Sequence, residues 1–164
     1  MGSTVYIGLG TNLGRREENL EKAIEAMAQL PTVRLLRRSR LYDSAAFGPP
    51  QPRYLNAVVE LSCGLKPVEL LHRLKAIEAA LGRVTTERWQ PRPIDLDIVL
   101  WPGVCLQEGA LMVPHPELHK RRFVLEPLCE LAPDELHPVL GQSLKALLDG
   151  LPPQDLHVLP APAL

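Results

Sequence analysis

The stretch Glu87-Arg88-Trp89-Gln90-Pro91-Arg92-Pro93-Ile94-Asp95-Leu96-Asp97-Ile98-Val99-Leu100-Trp101 constrains this chain more than any other. Pro91 and Pro93 lack the amide protons that a regular ladder needs, so its front half reads as a loop. From Ile94 the hydrophobicity alternates with period two, which predicts a strand. Ile94, Leu96, Ile98 and Leu100 then share a core face, while Asp95, Asp97, Val99 and Trp101 share the other. That second face carries two carboxylates about 7 Å apart, two residues along an extended chain. Aspartate is disfavoured in strands and like charges on one face repel, so something must offset the cost. One reading is a solvated polar face, against which the apolar Val99 and Trp101 count. The other is a hard cation, Mg2+, held by oxygen ligands. Arg83, Arg88 and Arg92 lie just upstream. Guanidinium forks beside metal-binding carboxylates suit a metal-bound polyphosphate.

A length of 164 residues fits one domain, 1–164, and a chain of this size can bury about two-thirds of its unfolded surface. The net charge of −1 argues against a general nucleic-acid or membrane binder. Cys63, Cys105 and Cys129 are odd in number and scattered, which suits reduced thiols in a cytoplasm and gives no zinc site. Charged residues arrive before any long apolar run at the N-terminus, so no signal peptide is expected. Tyr6 stands where a myristoylation signal wants Ser or Thr, and no apolar run approaches the length of a membrane span.

Residues 4–9 read as a first strand and Gly10-Thr11-Asn12-Leu13-Gly14 as a turn. A helix is predicted over 16–30, with Leu20, Ala23, Ile24 and Met27 on one face. Gly8, Gly10 and Gly14 form G-x-G-x-x-x-G, one residue longer than the dinucleotide fingerprint, and the chain lacks length for a second mononucleotide-binding half. A plain glycine turn is the better reading. Arg34, Arg37, Arg38 and Arg40 crowd a second strand over 32–42, as a solvated or protected edge or as an anion patch. In the loop 43–53, Phe47 either packs inward or lines a ligand site. A third strand spans 54–61. Asn56 within it is either a solvated edge residue or a buried amide reading a heterocycle.

Pro67 opens a helix reaching about residue 81, with Gly82 as its cap. Glu78 sits near its C-terminus, where the dipole disfavours an acid; that misfit hints at a role. Residues 103–109 read as a turn and 111–113 as a short strand. A short helix begins within 114–123, with His115 just before it beside amides that favour anions. Residues 125–131 read as a buried apolar run and 143–148 as a short helix. The tail, about 150–164, reads as extended, with 156–159 as an edge strand. The order βαββαβ predicts an α+β, ferredoxin-like fold: an antiparallel sheet with helices packed on one face, leaving the other for flexible loops and ligand.

With these pieces laid out, the chain resembles the 6-hydroxymethyl-7,8-dihydropterin pyrophosphokinase family. The likeness runs from Tyr6 to about Pro133. It rests on Gly10-Thr11-Asn12-Leu13-Gly14, on Gly48-Pro49 with Tyr54-Leu55-Asn56-Ala57, on the run from Arg88 to Ile98, and on Val113-Pro114-His115-Pro116 with Arg121-Arg122-Phe123-Val124-Leu125. The resemblance implies transfer of pyrophosphate from ATP to the pterin hydroxymethyl oxygen, a step of folate synthesis that leaves AMP. It implies two Mg2+ ions on Asp95 and Asp97. Arg83 and Arg92 resemble mobile-loop arginines that close over the phosphates. Glu78, Ile98, His115 and Arg121 resemble nucleotide contacts. Asn56 resembles the reader of the pterin edge, with Tyr54 and Phe123 lining the pocket and Phe123 stacking on the ring. Trp89 resembles an aromatic that caps the closed site, and Ser44 and Gly48 resemble backbone positions facing the pterin. A cytoplasmic monomer acting on small molecules is expected, with no nucleic-acid or membrane partner and with the loops 43–53 and 83–93 closing after ATP binds. A non-catalytic RNA-binding module using the arginines and a Mg2+-dependent phosphohydrolase are the competing readings. The scarcity of aromatics, at 4%, counts against the first.

Overall fold

The structure, a computed structural model, describes residues 2–46, 50–82 and 93–160. Alternating apolar residues along β1 (Ser3–Thr11) bury Val5, Ile7 and Leu9 on one side and Tyr6 on the other. A strand buried on both faces belongs at the middle of a sheet. There β1 lies antiparallel between β4 (Tyr54–Cys63) and β5 (Asp95–Leu100). The main sheet runs β5-β1-β4-β3-β8, with β2 (Val33–Arg38) also on β4. All its pairings are antiparallel, and the α+β, ferredoxin-like expectation holds.

The predicted second strand is two, β2 and β3 (Tyr42–Ser44), both paired with β4. Ser39 interrupts them: its amide donates to Val58 O at 2.9 Å and its hydroxyl accepts from Val58 N at 2.9 Å. The arginines here are a protected edge. Arg37 forks onto Glu60, Arg38 onto Glu21, and Arg40 meets Glu130, so three of the four charges of an anion patch are already matched.

Helices α1 (Arg16–Ala28) and α2 (Pro67–Ala80) pack on one face, as expected, through Leu20, Ala23, Ile24 and Met27 and through Leu70, Leu74 and Ile77. Each fully buried leucine of this kind contributes about 2 kcal/mol. Gly82, at φ +95°, ends α2 in the left-handed conformation that glycine adopts without strain. Two further helices cover half of the opposite face. In α3 (Arg122–Leu131) and α4 (Leu144–Asp149), Leu125, Leu128, Leu131 and Leu144 bury against Tyr6, Val58, Val99 and Leu100. The Ser143 hydroxyl caps α4 by accepting from Ala146 N at 3.1 Å.

Two local expectations change, and the edge strand expected in the tail forms. The turn at 103–109 contains β6 (Leu106–Glu108), which forms a hairpin with β7 (Leu111–Val113) about Gly109, at φ +59°. The helix expected after His115 is only a 3₁₀ turn at Leu118–Lys120, and α3 begins at Arg122. The tail forms the edge strand β8 (Leu156–Val158) on β3.

Candidate active site

The half of the second sheet face left open by α3 and α4 is a cleft of about 260 Å³. Its floor is Gly8 and Gly10 of β1, Tyr54 and Asn56 of β4, and Asp95 and Asp97 of β5. Gly10 stands opposite Asp95 and Asn56, and Gly8 opposite Asp97 and Val58. Cross-strand partners project to the same side, so these glycines separate the carboxylates from the amide without raising a side chain between them. A Cβ on Gly8 would lie 3.1 Å from Val99 Cγ1, and one on Gly10 would lie 3.4 Å from Asn56 Oδ1. Gly8 lies in the strand as expected, and Gly10, the predicted start of the turn, is also a strand position kept bare.

Asp95 and Asp97 share a face as the alternation predicts, and both line the cleft. One residue further the register shifts: Ile7 pairs with Ile98, but Tyr6 pairs with Leu100. This bulge turns Leu100 onto the α3/α4 side, correcting its expected grouping with Ile94, Leu96 and Ile98, and sends Trp101 to the α1/α2 core.

Asn56 is 3% exposed. Its Nδ2 donates to Tyr42 O at 3.1 Å and to Ser44 Oγ at 2.7 Å. Both donors are thus committed to β3, and Oδ1 is the group left for a ligand N–H. The His115 amide donates to Val99 O at 3.0 Å and its Nδ1 accepts from Glu117 N at 3.1 Å, so the neutral ring carries its proton on Nε2. Burial lowers the His115 pKa, and Arg121 lowers it further against the pull of Asp97. Arg121 sits with its guanidinium 5.6 Å from the centroid of the Phe123 ring. Both line the cleft, as do Ser44 and Tyr54.

Two expected nucleotide contacts lie elsewhere. Glu78 is 2% exposed and accepts from Leu96 N at 2.7 Å. Ile98 is 4% exposed within the α1/α2 core. Neither lines the cleft. Gly48, Arg83, Trp89 and Arg92, like Phe47, lie outside the described residues. The sequence reading missed Lys75 and Gln51, which line the cleft, and Asn12, whose Nδ2 holds Gln51 Oε1 at 2.8 Å and Pro52 O at 3.1 Å. No local pattern marks Lys75 and Gln51, because α2 and the segment before Tyr54 reach the site only through packing. Among the described residues no group of three or more His, Cys, Asp or Glu could hold a metal ion. A pair of carboxylates beside open space fits a hard cation that takes its other oxygens from water and phosphate, the habit of Mg2+ in nucleotide sites.

The 7,8-dihydro-6-hydroxymethylpterin-pyrophosphokinase (HPPK) family model matches residues 6–133. The chain belongs to this family. A Synechocystis sp. relative named 2-amino-4-hydroxy-6-hydroxymethyldihydropteridine pyrophosphokinase is 43% identical over 143 residues, covering 87% of this chain and 73% of its own. A Pseudomonas aeruginosa protein of the same name is 43% identical over 157 residues, covering 95% and 96%. Crystal structures of Plasmodium falciparum HPPK-DHPS superpose on 91% of this chain with TM-scores of 0.71 and 0.69, at 14% and 13% identity. This chain spans 45% and 41% of theirs, and at that identity the likeness concerns the fold alone. Membership makes the protein a pterin pyrophosphokinase of folate synthesis, a transferase acting on small molecules with ATP as co-substrate. No helix among the described residues is long and apolar enough to cross a membrane.

Proposed function

We propose that this cleft joins ATP to 6-hydroxymethyl-7,8-dihydropterin. The pterin hydroxymethyl oxygen bonds to the β-phosphorus, the bond from that phosphorus to the α-phosphate bridging oxygen breaks, AMP leaves, and the hydroxyl proton passes to solvent. The observation that carries this reading is the opening of paired carboxylates, a buried amide and basic groups onto one cleft. Asn56 Oδ1 accepts a pterin N–H, and Tyr54 and Phe123 flank the ring. His115 Nε2, Arg121 and Lys75 donate to phosphate oxygens. Asp95 and Asp97 would hold Mg2+, expected as two ions, which when bound neutralises charge on those oxygens. Arg83 and Arg92 are assigned to the phosphates, Trp89 to capping the site and Gly48 to the pterin on the family resemblance alone. Phosphoryl-transfer catalysis is mostly positioning and electrostatics, so no strong side-chain base is assigned. The free thiols, with Cys105 exposed, suit a reducing, cytoplasmic compartment.

Asp97→Ala should abolish pterin-dependent AMP formation while circular dichroism stays unchanged. Undiminished turnover in that variant would overturn the assignment.

A further inference from the structure

The family match ends at residue 133, yet the chain later returns to the sheet beside the cleft. Strand β8 adds to the free edge of β3, with Leu156 opposite Ser44 and Val158 opposite Tyr42. The contact extends past the strand at both ends: Ala45 N donates to Asp155 O at 3.3 Å, and Leu159 N donates to Leu41 O at 2.8 Å. Ser44 and Ala45 line the cleft, and Ser44 Oγ takes one of the two hydrogen bonds that orient Asn56.

A second connection runs through Arg53, the residue before Tyr54. Its Nη1 and Nη2 each lie 2.8 Å from an oxygen of Asp155, a bidentate fork. Its Nε donates to Asp43 Oδ1. Asp43 Oδ2 also receives Arg16 Nη1 at 3.2 Å, and the same guanidinium donates to Arg53 O at 3.1 Å. Arg53, next to Tyr54, is therefore tied both to the residue before Ser44 and to the tail. The two arginines hold the Asp43 carboxyl below its ordinary pKa against the opposing effect of burial.

The Arg53 and Asp155 side chains are 39% and 51% exposed. A pair so open to water adds little to global stability. What it does restrict is local: the cleft residues Ser44, Ala45, Gln51 and Tyr54 are all within two residues of Asp43 or Arg53. We propose that Arg53, clamped between Asp43 and Asp155, is a positioning residue for the pterin wall of the cleft, and that β8 is a working part of that wall. The inference rests on the reading of the cleft given above.

The test is titration of 6-hydroxymethyl-7,8-dihydropterin into the full chain with Mg2+ and a non-hydrolysable ATP analogue, beside titration of the analogue alone. The variants are Arg53→Ala, Asp155→Ala, the double variant, and Asp155→Glu. Each alanine variant should weaken pterin binding about fivefold, because a wall displaced by a fraction of an ångström loses alignment. The double variant should lose no more than the worse single one, since both break one unit. Asp155→Glu should recover most of the loss, and analogue affinity and melting temperature should hold. Unchanged pterin affinity in both single variants would overturn the proposal. So would pterin affinity, analogue affinity and melting temperature falling together, the mark of a merely structural pair. A wild-type protein that binds no pterin would instead bring down the reading of the cleft, and this inference with it.

Discussion

At the scale of single residues, partners decide what a side chain can do. Asn56 could donate or accept by its chemistry, but Tyr42 O and Ser44 Oγ take its donors and leave an acceptor. His137 follows the same logic away from the cleft. It is 4% exposed, and its Nδ1 accepts from Val139 N at 3.2 Å and Leu140 N at 3.1 Å. Burial, then the neighbouring His119, lowers its pKa below the ordinary 6.5. A lowered histidine pKa favours the folded chain while the ring is neutral. The contribution is therefore complete above pH 6.5 and is lost as the pH falls from there through the lowered folded value. Thermal melts from pH 7.5 to pH 5 should show wild type losing stability on the acid side more steeply than His137→Gln. Parallel curves would show that this ring does not contribute to the acid limb.

At the scale of elements, β5 does two jobs. Its first half presents Asp95 and Asp97 to the cleft, and the bulge after Ile98 commits its second half to core. Being the sheet's edge, β5 has an outward-facing amide at Leu96, midway between the two carboxylates, and α2 satisfies it with the buried carboxylate of Glu78. Lys75, one turn back on α2, lies 3.4 Å from the other Glu78 oxygen. The acid near the wrong end of a helix dipole is thus explained by a backbone group in a neighbouring element. Glu78→Ala should destabilise the protein by about 1–3 kcal/mol, the cost of orphaning a buried donor. Glu78→Gln should restore most of it, since its amide oxygen can still accept. Urea denaturation of both variants checks this, and equal stability of Glu78→Ala and wild type would contradict it.

At the scale of the molecule, one sheet carries two cores. Val5, Ile7, Val59 and Ile98 face α1 and α2, while Tyr6, Val58, Val99 and Leu100 face α3 and α4. Neighbouring residues of the same strands belong to opposite cores, so neither layer can melt while the other keeps its register. Leu70→Ala in the first core and Leu125→Ala in the second should each cost about 2–5 kcal/mol. Each should also shift a single unfolding transition that far- and near-ultraviolet circular dichroism report together. A separate early loss of α3 and α4 in Leu125→Ala would show the layers to be independent.

Local periodicity and punctuation determined much of this protein. Alternation from Ile94 put Asp95 and Asp97 on one face, because side chains along a strand alternate whatever packs around them. Helical spacing picked out Leu20, Ala23, Ile24 and Met27, and Pro67 and Gly82 bracketed α2, because those preferences act within a few residues. What tertiary structure alone decided is everything that depends on meeting a distant segment. The bulge at β5 exists only against β1, and the break at Ser39 only against Val58. The bareness of Gly8 and Gly10 matters only because Asn56 and the carboxylates flank them. Lys75 and Gln51 reach the cleft by the packing of α2 and the segment before Tyr54, and Asn12 holds Gln51 from just past the end of β1. The tail became part of the wall because its backbone found the open edge of β3, a partner more than a hundred residues upstream that no short window of sequence can name.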